Sequence, residues 1–480
     1  MAVKGGRVDF LGPHVLRSHL LRPGFVRLTL KLGIARHMPA WARQQFTNAG
    51  VTARDLDRVL RRVTSLESWV DEWESLAREH EQWAQDALSL GQRALAARHF
   101  LSASAGYNFA QYVIFLDISR KRALHDGCVR AYGQAAPLFD PPALPFEVPF
   151  RRHRMQGYLR VPHGARPVPV AVLFNGTNGV KEEMHWWAEA LLERGVAVIT
   201  FDGPGLVATW HRMSMVAEPR PVGVAILNQI EATAELDPDA VAFFGMSLGG
   251  YLAIRMATHD TRVRAVAAVS PPYSADVYWN VTLSSLRREL AALYDIDERE
   301  MGASVDRITL ADVLPRLRCP LIVAGGGHDL ITPGTEAWRI FEDGRSPREL
   351  IYYPEGGHEC FNVLSDLRPR MMGWLVHQLE KHRAARAAAT DDGTSRDGAW
   401  MAAEAVDPDF ADALRGEPRP LVWNRVAGAD GNGGQSGHPA GIPAPRGWRW
   451  PWGTVAPAAP RVVHRLAPGG TESVRSVRRR

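Results

Sequence analysis

Ser247 lies in the pentapeptide GMSLG at residues 245–249, where the serine stands two positions from a glycine on each side. The apolar run at residues 241–244 predicts a buried strand before it, and the amphipathic pattern at residues 250–257 predicts a helix after it. A sharp turn between a strand and a helix raises a serine above the sheet, beside backbone N–H groups that favour developing negative charge. We therefore predict that Ser247 is a nucleophile; the alternative is a glycine-rich turn that holds a serine by chance.

A serine hydroxyl needs a base to take its proton and a carboxylate to orient that base. His358 follows two glycines after an apolar run at residues 350–353, and Asp329 follows the apolar run at residues 320–327. The chain order of serine, acid and histidine is the one that this kind of turn predicts. His328 precedes the acid, so we interpret it as a loop residue. Asp276 is an alternative acid, or an auxiliary one.

Two N–H donors are expected to stabilise the negatively charged oxygen of the intermediate. The backbone N–H of Leu248 is the first candidate, and the backbone N–H of Thr177, in a loop after a predicted strand at residues 168–174, is the second. The side chain of Asn178 is an alternative donor. Asn178 and Asp202, which follows another predicted strand, are expected to bind substrate.

These residues need a sheet to position them, and the alternation of apolar runs with helical patterns after residue 168 predicts a mostly parallel one. We expect a β-hairpin at residues 146–161 before this sheet and a helical, lid-like insertion at residues 279–310. Residues 52–136 show helical periodicity. The aromatic side chains of these helices either roof the site or only hold the helices together; they include Trp69, Trp73, Tyr107 and Tyr112.

The chain divides by composition into four predicted segments. Residues 1–50 are a basic leader of uncertain structure, residues 51–140 a helical cap domain and residues 141–387 a catalytic α/β domain. Residues 388–480 are rich in Gly, Pro and Arg, so we expect a disordered tail.

Charge and cysteine content exclude several classes of protein. The net charge of +5 comes mainly from the two ends of the 480-residue chain, so no nucleic-acid-binding face is expected. Three cysteines in a chain of this length indicate neither a disulfide framework nor a metal site, and we interpret Cys360 as a packing residue. We find neither a transmembrane run nor a signal peptide, and we expect a cytoplasmic protein with no cofactor and no membrane partner.

Several segments together resemble a known family. They are NGTNGVKEE at residues 175–183, FDGPG at 201–205, GMSLGGY at 245–251, HD at 328–329 and EGGH at 355–358. The chain is similar over about residues 50–385 to the α/β-hydrolase family of 2,6-dihydroxypseudooxynicotine hydrolase, the fungal pigment C–C hydrolases and the fermentation–respiration switch protein. The resemblance implies an α/β-hydrolase fold with an N-terminal helical cap that covers the site and assists homodimer formation.

The resemblance also implies cleavage of a C–C or ester bond next to a carbonyl, often in an aromatic ketone. This chain departs from the family at Asn178, Gly179 and residues 206–208, which are expected to line the pocket, so no relative's substrate can be transferred. The corresponding region of some relatives carries an extra acid, which Asp276 matches loosely. The expected function is a serine hydrolase acting on a small molecule through an acyl-enzyme. An acyltransferase with the same triad, or a non-catalytic regulatory binding protein, is the alternative.

Overall fold

The computed structural model describes residues 23–391, except 39, 115–116, 207–208, 210–211, 217, 259 and 282–283, together with residues 421–425. Its first part is helical. The helices are α1 (Pro23–Lys31), α2 (Ala40–Asn48), α3 (Ala53–Arg62), α4 (Leu66–Ser89), α5 (Arg93–Gln111) and α6 (Ile118–Ala135). The hydroxyls of Thr52 and Ser65 accept backbone N–H groups at the starts of α3 and α4, which fixes where these two helices begin.

An aromatic cluster holds the helical part together. Phe46 of α2 stacks on Trp73, with ring centroids 5.4 Å apart, and both rings contact Phe109. The indole N–H of Trp69 donates to the carbonyl of Phe109 over 2.9 Å. Trp69 and Trp73 therefore hold the helices to one another. This is the second of the two interpretations that the sequence left open for these aromatic residues.

The helical part begins earlier than the predicted boundary at residue 51. Leu30 and Phe46 belong to the same buried cluster as Trp73. At the end of α2, the side-chain amide of Asn48 donates over 2.8 Å to the carbonyl of Phe361, 313 residues later in the chain. Residues 23–50 are thus part of the cap, whereas residues 1–22 of the expected leader lie outside the described residues.

A nine-stranded sheet follows, with the strand order β1-β2-β4-β3-β5-β6-β7-β8-β9. The strands are β1 (Leu144–Phe150), β2 (His153–Arg160), β3 (Val168–Phe174), β4 (Ala197–Phe201), β5 (Leu236–Met246), β6 (Val263–Val269), β7 (Leu321–Gly326), β8 (Arg348–Tyr353) and β9 (Leu421–Arg425). Strands β3 to β8 pair in parallel, whereas the β1–β2 hairpin and β9 add antiparallel strands at the two edges. The carboxyl ends of the parallel strands therefore meet at one edge, as the alternation in the sequence predicts.

Helices cover both faces of the sheet. They are α7 (His185–Leu192), α8 (Arg220–Glu231), α9 (Leu248–Ala257), α13 (Gly334–Asp343) and α14 (Leu364–Asp391). α7 and α14 pack with one face of the sheet, and α8, α9 and α13 pack with the other. The central strand β3 is buried along its whole length, which explains why it reads as a continuous apolar run.

Three short helices lie between β6 and β7, where the sequence predicts a lid-like insertion. They are α10 (Asp276–Val281), α11 (Ser284–Leu293) and α12 (Glu298–Ser304). The insertion shares the buried cluster of α8 and α9 through Leu290 and Met301. It is therefore anchored in the core of the α/β part.

The tail expected to be disordered lies mostly outside the described residues. Within it, β9 pairs with β8 in antiparallel register, from Leu421 opposite Tyr352 to Arg425 opposite Arg348. These five residues extend the sheet, so the sheet includes a segment beyond residue 387, where the sequence predicts the end of the α/β domain. Among the described helices, none is both long and apolar enough to cross a membrane.

Candidate functional site

The turn that carries Ser247 joins the end of β5 to the start of α9. Ser247 has φ 50° and ψ −123°, a conformation that a residue with a side chain rarely adopts. A Cβ on Gly245 would lie 2.2 Å from the carbonyl oxygen of Gly249, and one on Gly249 would lie 2.5 Å from the backbone oxygen of Asn175. The two glycines are required because the turn brings the strand, the helix and the neighbouring loop this close together.

The predicted acid and base are in contact at the next strands. Asp329, after β7, is fully buried, and both of its oxygens lie within hydrogen-bond distance of His358 Nδ1, at 3.0 and 2.9 Å. The backbone N–H groups of Ile331 and Thr332 donate to the same carboxylate over 2.9 and 2.8 Å. The carboxylate is thereby fixed against Nδ1, which leaves Nε2 of the imidazole directed elsewhere.

The protonation of His358 depends on its two acidic neighbours. Burial lowers its pKa, but the charge and hydrogen bond of Asp329 and the charge of Glu359 outweigh burial and raise the pKa to about 9. These neighbours therefore stabilise the protonated imidazole that forms when His358 takes a proton from a serine hydroxyl, and His358 must be neutral before it can do so.

The loop after β3 lies directly against the serine. A Cβ on Gly176 would come within 3.2 Å of Ser247 Cβ, so the loop passes beside the nucleophile candidate. The Gly176 N–H donates to the side-chain oxygen of Asn175 over 2.7 Å, which fixes the start of the loop. Thr177 is the next residue and is half-buried, and Leu248 directly follows Ser247 as the first residue of α9. The structure thus brings the segments of both predicted N–H donors next to Ser247.

Asn178 connects this loop to the helical cap. Its side-chain oxygen accepts from the ammonium of Lys121 over 3.0 Å, and its backbone oxygen accepts from the side chain of Gln111 over 3.1 Å. Both donors belong to the cap. The predicted role of Asn178 in substrate binding stays a prediction, while its contacts give it a positioning role.

Asp202 takes part in a buried ion pair. Its carboxylate is fully buried and accepts from the backbone N–H of Lys181 over 2.9 Å and from the Lys181 ammonium over 3.2 Å. The same ammonium lies 2.7 Å from Glu182. Asp202 therefore forms a buried ion pair with Lys181, and its predicted role in substrate binding stays a prediction.

The same buried group includes a possible set of metal ligands. Ligand atoms of His125, Glu182 and Asp202 lie within 4.8 Å of one another. The Lys181 ammonium already contacts both carboxylates and supplies the positive charge that would otherwise be missing. We therefore interpret this group as an ion-pair cluster between the cap and the sheet.

Asp276 lies at the start of the helical insertion. It is the first residue of α10 and it is buried. Burial raises the pKa of the Glu336 carboxyl, and the charge of Asp276 acts in the same direction. The contact that orients His358 comes from Asp329. The two predicted roles of Asp276, as an alternative acid or an auxiliary one, stay predictions.

Two carboxyl groups near Ser247 are absent from the sequence-based predictions. Glu183 accepts from the hydroxyl of Tyr112 over 2.8 Å and from the side chain of Asn175 over 3.0 Å. Glu359 directly follows His358, and its Oε1 lies 3.9 Å from His358 Nε2. Glu183 lies in the KEE segment, which carries part of the family resemblance, so the sequence offered a signal for it. The residue pattern offers no such signal for Glu359.

A sequence model of the family described as esterase FrsA-like matches residues 46–294, just over half of the chain. The chain belongs to the FrsA-like esterase family. The match includes helices α3 to α6 of the cap, the loop after β3 and the Ser247 turn, and it ends before the strands that precede Asp329 and His358.

Known relatives of this FrsA-like protein are hydrolases by name. It is 29% identical over 319 residues to 2,6-dihydropseudooxynicotine hydrolase of Paenarthrobacter nicotinovorans, an alignment that covers 65% of this chain and 85% of the relative. It is 31% identical over 222 residues to hydrolyase poxO of Penicillium oxalicum, covering 43% of this chain and 52% of the relative. The chain thus aligns with about half of this fungal relative.

A solved structure supports the same conclusion about the fold. The crystal structure of the 2,6-dihydroxy-pseudo-oxynicotine hydrolase superposes with a TM-score of 0.65 at 27% identity, covering 70% of this chain and 95% of that chain. The FrsA-like protein is therefore a hydrolase of the α/β type with an N-terminal helical cap.

Proposed function

We propose that Ser247, His358 and Asp329 form a catalytic triad that cleaves a bond next to a carbonyl group through an acyl-enzyme. The observation that carries the proposal is the contact of His358 Nδ1 with both oxygens of the buried Asp329. This contact fixes the imidazole so that only Nε2 is available to a nucleophile, and Ser247 offers one in a strained turn at the same edge of the sheet.

The reaction would proceed in two stages. Ser247 Oγ attacks the carbonyl carbon while His358 Nε2 takes the serine proton; the bond to the leaving group then breaks with its electron pair on the leaving atom, which takes up one proton, so that His358 is neutral again once the acyl-enzyme has formed. His358 then takes a proton from water as the water attacks the acyl carbon, and it returns this proton to Ser247 Oγ when the acid is released. Asp329 stabilises the positively charged imidazole in both stages.

The developing negative oxygen would be held by the backbone N–H groups of Leu248 and Thr177. The position of Gly176 against Ser247 supports this assignment, because Thr177 follows it directly. Hydrogen bonds in a buried site of this kind are worth about 3–4 kcal/mol each when they are strongest in the transition state.

The proposed substrate is a small molecule with a ketone or ester group, of the aromatic ketone or polyketide-like kind. The support comes from the named hydrolase that aligns with most of its length to this chain. Cleavage of a C–C bond would also need an acid near the leaving carbon. Asp276 is the residue predicted from sequence for this auxiliary role.

The proposed nucleophile can be tested without knowing the substrate. A fluorophosphonate probe should add its mass to the intact chain, and a peptide digest should locate the label on Ser247. Ser247→Ala should abolish the label, whereas Ser284→Ala, which changes a serine at the start of α11 in the insertion, should retain it. Undiminished labelling of Ser247→Ala would contradict the proposed triad.

A further inference from the structure

The backbone after His358 directs an acidic side chain into the protein. Glu359 has φ 54° and Cys360 has φ 53°, so two successive residues other than glycine adopt the left-handed conformation. Each such residue costs about 1–2 kcal/mol. The Glu359 N–H donates to the hydroxyl of Ser270 over 3.1 Å, and Glu359 is only 8% exposed. A carboxyl group is rarely buried without a specific reason.

The carboxyl group lies on the reacting side of the imidazole. Its Oε1 is 3.9 Å from His358 Nε2, whereas Asp329 contacts Nδ1 on the other side of the ring. A Cβ on Gly176 would lie 3.0 Å from this Oε1 and 3.2 Å from Ser247 Cβ. The carboxyl group is therefore beside the serine and beside the loop of the proposed oxyanion donors.

The charged groups around Glu359 favour its protonated form. Burial raises its pKa to about 7, the charges of Glu183 and Asp329 act in the same direction, and the charge of His358 opposes them. The Tyr112 hydroxyl and the Cys360 thiol, which also interact with this carboxylate, have pKa values raised chiefly by their own burial. Because the pKa of His358 is about 9, the two neighbours together hold one proton between about pH 7 and pH 9.

We propose, on the basis of the triad proposed above, that Glu359 is the acid that protonates the leaving group. An apolar substrate that excludes water disfavours the ion pair and favours neutral His358 beside protonated Glu359. When the Ser247 Oγ–carbon bond forms, the serine proton moves to His358 Nε2. The bond to the leaving group breaks with its electron pair on the leaving atom, and that atom takes the proton of Glu359.

The proton balance is then restored within the pair. The proton on His358 Nε2 passes to the Glu359 carboxylate, so the serine proton replaces the one that left. His358 becomes neutral again and can activate the water that cleaves the acyl-enzyme. A separate acid of this kind matters most for a basic leaving group, such as an enolate or an alkoxide.

The first test compares leaving groups in Glu359→Gln, which removes the acid and keeps the shape. We expect kcat/KM for phenyl acetate to fall by about 10²-fold, with a loss at least tenfold smaller for p-nitrophenyl acetate, whose leaving group needs little protonation. Glu355→Gln is the matched control, because it removes the same charge from an exposed position on the same loop. Equal losses for the two esters in Glu359→Gln would overturn the proposal.

The second test needs no substrate turnover. Fluorophosphonate labelling of Ser247 requires neutral His358, and the fluoride leaving group requires no acid. Without the negative charge beside Nε2, Glu359→Gln should label with a pH midpoint shifted to lower pH, and Glu355→Gln should label like the wild type. An unshifted midpoint would exclude the contact between Glu359 and Nε2. Loss of the triad itself would appear differently, as labelling that Ser247→Ala does not abolish.

Discussion

The backbone of Ser247 stores strain that a glycine in its place would not. A residue with a Cβ pays about 1–3 kcal/mol for such a conformation. We predict that Ser247→Gly and Ser247→Ala both reduce turnover by about 10³-fold or more, and that the glycine variant unfolds with a free energy about 1 kcal/mol higher than the alanine variant. Urea denaturation of the two variants checks the difference. A glycine variant less stable than the alanine variant would show that the turn is relaxed.

The contact between Asp329 and His358 should control both rate and pH dependence. Asp329→Asn is expected to lower kcat by about 10⁴-fold, because the imidazole then adopts the wrong tautomer. In the wild type, the raised pKa predicts that labelling of Ser247 increases with pH through a midpoint near 9. Asp329→Asn should move this midpoint to lower pH, since the carboxylate charge that raises the pKa is gone.

Asp276→Asn should lower the rate of ester hydrolysis less than Asp329→Asn does. The reverse order would make Asp276 the acid of the triad.

The same pKa shift has a consequence for stability. The folded-state pKa of His358 lies above its unfolded value, so the stabilisation from its pairing with Asp329 is fully present below about pH 6.5. It is lost as the pH rises through about 9. The wild type should therefore lose more stability than Asp329→Asn over this interval.

At the scale of elements, the side chain of Tyr112, directly after the end of α5, connects the cap to the proposed oxyanion loop. Tyr112 donates to Glu183, Glu183 accepts from Asn175, and Asn175 accepts from the Gly176 N–H. We predict that Tyr112→Phe lowers kcat by about tenfold and stability by about 1–3 kcal/mol, since it leaves a buried carboxylate with one donor fewer.

Tyr107→Phe provides the matched control for this prediction. The Tyr107 hydroxyl donates to Glu81 over 2.7 Å and accepts from Arg130, and both contacts stay within the cap. It should lose stability but keep its kcat. If both variants lowered kcat equally, the effect would come from general weakening of the cap.

The elements themselves could be predicted because buried parallel strands read as uninterrupted apolar runs. The hairpin expected at residues 146–161 is present as β1 and β2, and the strands before Ser247, Asp329 and His358 lie where the pattern predicts them. The Ser247 turn could be predicted from its glycines, because only glycine fits the close contacts there.

The inward carboxyl groups could not be predicted in the same way. Glu359 reads as a solvated loop residue, because left-handed backbone at a glutamate leaves no signal in the residue pattern. Asp202 reads as a functional carboxylate after a strand, but its partner Lys181 is 21 residues earlier and only the fold brings them together. The sequence alone does not predict which side chains of loops after different strands form ion pairs with one another.

At the scale of the whole molecule, the last described strand covers the edge beside the His358 loop. β9 pairs with β8, which leads directly into that loop. A chain that ends after residue 391 lacks β9 and leaves the edge of β8 unpaired, whereas a chain that ends after residue 427 keeps it. We predict that the shorter chain melts at a lower temperature and aggregates sooner than the longer one. Equal melting temperatures would show that β9 adds nothing to the sheet.

The hydrogen bond from Asn48 to the carbonyl of Phe361 can form only late in the synthesis of the chain. A ribosome adds about 5–20 residues per second, so the 313 residues between the two partners take roughly 15 to 60 seconds to synthesise. During that interval the early helices can form their own local contacts, but the surface at the end of α2 waits for the segment that follows His358. The helices of the cap can thus be complete in a nascent chain well before the segment that contains His358 and Phe361 has been synthesised.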